Sequence, residues 1–143
     1  MVDVTLLGGV AGGLLATVVM TMLMMALGDD SPPPTAALWA KYVGDGAPTD
    51  YVPQGMALHF LYGLGAGVAL AVALPLAGFG TVALVTAAGL GLAYGVVLFA
   101  FAAVFWMKVV LAMDPEPPQV AQFLFFHLAY GVVLGGVIGA GVV

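Results

Sequence analysis

The residues best suited to chemistry in this 143-residue chain are its two histidines, His59 and His127. Imidazole can donate or accept a hydrogen bond, shuttle a proton, or ligate a metal. The two sit in matching motifs, His59-Phe60-Leu61-Tyr62-Gly63 and His127-Leu128-Ala129-Tyr130-Gly131, 68 residues apart. Tyr62 and Tyr130 join them as candidate site residues. Three kinds of chemistry fit this set. In the plainest, each histidine donates to a carbonyl or hydroxyl on a neighbouring helix, as buried polar groups generally must. Thr21 is then the partner for His59, while the equivalent position on the third apolar run, Phe105, offers His127 nothing. In the second, the pair binds a b-type haem from both faces. Phe60, Phe101, Phe105, Phe125, Phe126 and Tyr130 would wall it, and no CxxCH motif exists for covalent attachment. In the third, a soft metal such as Cu(I) recruits thioethers from Met20, Met22, Met24 and Met25. Those methionines wind around one helix, so they cannot all converge.

Other chemistries are excluded by what is missing. There is no cysteine, hence no disulfide, thiolate metal site or thiol nucleophile. The one serine, Ser31, sits in a proline turn. Two histidines without a nearby carboxylate fall short of a zinc site. Asp29, Asp30, Asp45, Asp50, Asp114 and Glu116 form acidic loops, read first as a solvated surface. Asp30 and Asp114 are the pair placed alike, each just before a proline cluster.

The elements that must position these groups are membrane spans. The chain is 64% hydrophobic and only 6% charged, against about 25% charged in ordinary globular domains. Its two Lys+Arg residues offer no surface for nucleic acid. Four apolar runs are long enough to span about 30 Å of hydrocarbon as helices: about 5–28, 54–74, 81–113 and 119–143. The prolines fall between them, where helices end. Alternating polarity, the mark of a transmembrane β-barrel, is absent. The prediction is an all-α bundle of four transmembrane helices forming one integral membrane domain over residues 1–143. Asp3 is the only charge before the first run, so that run reads as a retained helix rather than a secretory leader.

Within the first connection, Thr35 to Val43 reads as a short interfacial helix, capped by Thr35 and stopped at Gly44. Charged loops 29–53 and 108–118 fall on one side of the bilayer. Both lysines lie there, which places that side in the cytoplasm and both termini outside.

The matched His motifs, and Asp30-Ser31-Pro32-Pro33-Pro34 against Asp114-Pro115-Glu116-Pro117-Pro118, predict two parallel two-helix repeats. These cover about 1–75 and 80–143. A rival match exists, since Leu92 to Leu98 is identical to Leu128 to Leu134. Small residues recur every four positions: Gly9-Gly13-Thr17-Thr21, His59-Gly63-Gly67, Ala87-Gly91-Gly95 and His127-Gly131-Gly135-Gly139. Such ridges let helix backbones approach closely in lipid. They pack this bundle, or one of them, Gly131-Gly135-Gly139, faces a second subunit.

Acid-rich loops such as Gly28-Asp29-Asp30-Ser31 and Gly44-Asp45-Gly46, scarce lysine, and spans of Ala, Val, Gly and Leu give the chain its style. In this it resembles the uncharacterised small four-helix integral membrane proteins of halophilic archaea. The resemblance covers the whole chain, rests on composition and layout, and implies no activity. The expected role is non-enzymatic: an accessory or scaffold subunit in the bilayer, with a membrane-protein partner or a second copy of itself. The alternatives are a haem-binding redox or sensor protein using the His pair, and a carrier or channel for a small neutral or metal solute.

Overall fold

The computed structural model describes residues 1–143, and its apolar runs fold as four long helices. Helix α1 spans Leu6–Leu27 and starts at Thr5, whose hydroxyl accepts from the Gly8 amide at 2.8 Å. That is the usual N-cap bond, satisfying one of the free amides of the first turn. Its 22 residues reach about 33 Å at 1.5 Å per residue, enough to cross a bilayer. Pro32 to Pro34 stop it and start a short helix α2, Pro34–Tyr42. A 3-10 turn, Pro48–Tyr51, leads into α3, Val52–Leu76. Helix α4, Leu84–Phe101, continues as a π-helix over Ala102–Val110. Helix α5, Pro117–Ala140, starts with proline in its first turn and ends at Gly141, whose φ of 59° suits a residue without Cβ. All four long helices are apolar enough to span a membrane. The protein is an all-α, multi-pass bundle.

Several boundaries differ from those read in the sequence. Pro33, not Thr35, occupies the cap position of α2, and Val43 rather than Gly44 ends it. A proline before the first turn already sets the extended entry, so the threonine is carried inside. Pro75 lies within the last turn of α3, and the helix ends one residue later, as expected after a proline that cannot donate to the preceding turn. Thr81–Val82 is not helical. It pairs antiparallel with Val2–Asp3, with Val2 opposite Val82 and Asp3 opposite Thr81. We label these strands β1 (Val2–Asp3) and β2 (Thr81–Val82). The ribbon ties together the starts of α1 and α4, and Thr5 Oγ1 donates to Val143 O at 3.2 Å. Both chain termini therefore share one end of the bundle with the 77–83 turn. Helix α2 and the 111–116 segment occupy the other end, where Asp29 accepts from the Ser31 hydroxyl and from its amide at 3.1 Å. These two bonds hold the exposed Asp29 carboxyl below the ordinary carboxylate range.

The bundle is built from two tight hairpins, α1 against α3 and α4 against α5, joined where α1 packs on α5. Each hairpin closes along the small-residue ridges. A Cβ on Gly9 would stand 2.7 Å from Gly67 O, and one on Gly13 would stand 2.9 Å from Gly63 O. In the second hairpin Gly91 meets the carbonyl of Gly131, and Gly135 that of Ala87. Gly139 lies on Leu84 and Gly95 on the His127 carbonyl. The 131–135–139 ridge is thus spent on α4 within the chain. Gln122 Nε2 adds a bond to Leu27 O at 2.5 Å, fastening α5 to the end of α1. Buried Leu70, Leu74, Phe126, Leu134 and Ile138 fill the centre.

The seams predict a sharp contrast. Gly91→Ala and Gly67→Ala, which force backbones apart, should lower thermal stability in detergent by about 1–3 kcal/mol, the range for overpacking. Gly89→Ala and Gly136→Ala, where a Cβ meets nothing within 4 Å, should be neutral or stabilise by up to about 1 kcal/mol. Equal effects in both sets would refute the seam.

Candidate functional site

The two histidines come from different hairpins, His59 on α3 and His127 on α5, and both line one internal cavity of about 230 Å³. Its position follows from the packing. The α1–α3 and α4–α5 seams are tight, and α1 is packed on α5, but α3 and α4 meet sparsely. Two tyrosines bridge the gap instead. Tyr94 Oη donates to Ala66 O at 2.9 Å, and Tyr130 Oη donates to Gly63 O. Both bonds run from the second hairpin to α3 backbone. Helix α2 roofs the space, with Thr35 and Leu38 in the wall. It rests on α3 because Gly55 leaves room for the Ala36 backbone, and Lys41 Nζ donates to Val110 O at the end of the π-helix.

His127 is buried and fixed. Its Nδ1 lies 2.8 Å from Phe123 O, one turn back on its own helix. A carbonyl oxygen only accepts, so Nδ1 carries the proton. Phe123 and Phe99 pack edge-on against the ring, with centroids at 4.4 and 6.2 Å. His59 is held less firmly. Its Nε2 is buried without a partner, and Phe60 stacks edge-on at 6.0 Å. Thr21, the expected partner, instead donates to Thr17 O at 2.8 Å, as Thr17 does to Gly13 O at 2.6 Å. A helical threonine bonds its own backbone more readily than it reaches across. Gly13 faces Gly63 and Gly67, and Gly91 faces Gly131 and Gly135.

Two wall residues escaped the sequence reading. Neither Trp106 nor Phe123 stands among the candidates above. The π-helix turns Trp106 into the wall, where its Nε1 is buried without a hydrogen-bond partner. The Tyr62 hydroxyl lies beside it without meeting hydrogen-bond geometry. Thr35 Oγ1 is a third buried atom in the same state. Phe123 had a signal, since it stands four residues before His127. An outer space of about 500 Å³ adjoins the cavity at the loop end, reaching Asp29, Ser31 and Gln119. The two share Met24, Pro33, Pro34, Met107 and Phe123.

The other candidates disperse. Of the four clustered methionines, Met20 and Met24 line the cavity, whereas Met22 is 64% and Met25 83% exposed. No three His, Asp or Glu side chains gather as metal ligands. Asp30 and Asp114 are exposed and do not pair. Of the six aromatics proposed as a haem wall, only Tyr130 lines the cavity, and Phe101, Phe105 and Phe125 face outward. About 230 Å³ is below the roughly 300–1,000 Å³ of drug-sized ligand sites. Nε2 of His59 and Nε2 of His127 have no hydrogen-bond partner in the protein. Compared with known protein families, characterised proteins and solved structures, the chain matches none.

Tyr130→Phe tests the bridge between the hairpins at the cavity. It removes the bridge while Gly63 O keeps its helical partner, so stability in detergent should fall by about 0.5–1.5 kcal/mol, the net value of one hydrogen bond. An unchanged unfolding midpoint would show that the bond contributes nothing.

Proposed function

We propose that this is a non-enzymatic accessory protein of the membrane that holds one small lipophilic molecule between its hairpins. One observation carries this reading: an almost wholly apolar cavity ringed by polar atoms that the protein leaves unpaired, on His59, Trp106 and Thr35. An unsatisfied buried polar atom is costly, and native folds tolerate few without a reason. An apolar cavity with a few convergent polar groups is the usual form of a ligand site. The wall offers imidazole, phenol and indole but no carboxylate, lysine or serine, which favours holding a molecule over transforming it. The outer space at the loop end gives the molecule a way in. Exposed apolar faces on every span suit lipid or a larger membrane partner. Acidic, lysine-poor loops fit the layout of halophilic membrane proteins, with the lysine-bearing end in the cytoplasm and both termini outside.

Organic extraction of the protein purified in mild detergent should release one lipophile in stoichiometric amount, identified by mass spectrometry. Leu98→Trp, which fills the cavity from α4, should lose it. Identical extracts from both chains would contradict the reading. Orientation is open to single-cysteine labelling, since the chain has no cysteine of its own. In intact cells an impermeant maleimide should label Phe79→Cys but reach Ser31→Cys only after lysis. The reverse pattern would invert the topology.

A further inference from the structure

The cavity narrows the chemistry of its occupant. The Nδ1 proton of His127 is committed to Phe123 O. No carboxylate lines the cavity, and an uncompensated charge against an apolar wall is strongly disfavoured. The ring is therefore neutral, and Nε2 is a bare acceptor to which no protein group donates. Trp106 Nε1 is the converse. An indole N–H only donates, and this one has no acceptor. Tyr62 beside it can do either. The wall thus asks for a ligand that both donates and accepts.

A metal ion meets half of this requirement, since it takes the imidazole lone pair but cannot accept from an indole N–H. A hydrocarbon meets none of it. A carboxylic acid or amine brings a charge with no counter-ion. A hydroxyl does both in one small neutral group. Size adds a second constraint. A cavity of about 150 Å³ holds a benzene ring, so about 230 Å³ holds one substituted ring and no fused macrocycle. The wall is aromatic at Phe123, Tyr130 and Trp106, which favours a ring at edge-to-face or offset distance.

Resting on the ligand-holding function proposed above, we infer that the cavity takes a lipophilic phenol, its hydroxyl donated to His127 Nε2. The oxygen of that hydroxyl keeps lone pairs for the Trp106 or Tyr62 side. The alkyl or prenyl tail runs into the outer space past Met24 and Met107, whose flexible thioethers suit an irregular chain. His127 acts here as a binding residue, with Phe123 setting which nitrogen it presents.

The test compares three probes of near-identical shape on the purified full chain in detergent, each at the same mole fraction in the micelles. They are para-nonylphenol, para-nonylanisole, which can accept but not donate, and nonylbenzene. Binding is read by native mass spectrometry and by the shift in unfolding temperature. The phenol should bind one per chain, and the anisole about 10–100-fold more weakly, as when a buried acceptor loses its donor. His127→Phe should reduce the phenol to the level of the anisole. If that variant fails to fold, the phenol-to-anisole ratio on the natural chain decides. Equal binding of phenol, anisole and nonylbenzene would overturn the role of the hydroxyl and leave the ligand cavity standing. If none binds while extraction yields a lipophile of another class, the phenol assignment falls alone. If none binds and extraction yields nothing, both fall.

Discussion

At Gly91 and Gly131, and again at Gly9 and Gly67, helix backbones come so close that no side chain larger than hydrogen fits. In lipid there is little hydrophobic drive between helices, so this close packing is what joins them. It fixes two hairpins as units. Within each, register is set by which carbonyl lies over which glycine. The same contacts place the backbone of His127 against Gly95, which anchors the one ring whose orientation the site depends on. Adding a methyl at either seam would move α4 or α3 as a whole.

The cavity is a consequence of that constraint. Two closed hairpins meet along α1 and α5, and their other edges, α3 and α4, are left facing each other. Glycine and alanine on the sealed faces cannot fill the gap, so tyrosines from the second hairpin reach α3 carbonyls and hold it at a set width. The space between keeps the side chains that found no protein partner. A long α4 ending in π geometry serves the same arrangement. The wider turn rotates Trp106 and Met107 into the wall, and π segments commonly mark such sites.

Much of the fold was legible because composition and proline position dominate it. Spans of Ala, Val, Leu and Gly broken by Pro32 to Pro34 and Pro115 to Pro118 permit little but helices crossing lipid. The small-residue ridges were legible too, since steps of four define a helix face. What stayed hidden was decided between elements. The two-residue ribbon carries no alternating pattern, and its pairing comes from α1 and α4 starting together. Nothing local announces a π-helix at Ala102, so nothing in the sequence marked Trp106 as a wall residue. Thr21 and His59 stand at similar depth, yet depth does not say that the threonine bonds its own helix. Which face the glycines would leave open was likewise decided between helices. Glycines draw two faces together, and by doing so leave a third apart.

The site depends on a buried imidazole, His127, held with one nitrogen committed and the other open. Nitrogen-15 NMR of the histidine rings tests this directly, because the chain has only two and His59→Asn assigns them. At neutral pH in detergent, His127 should show a protonated Nδ1 and an unprotonated Nε2. A ring with its proton on Nε2, or protonated at both nitrogens, would contradict the site as described.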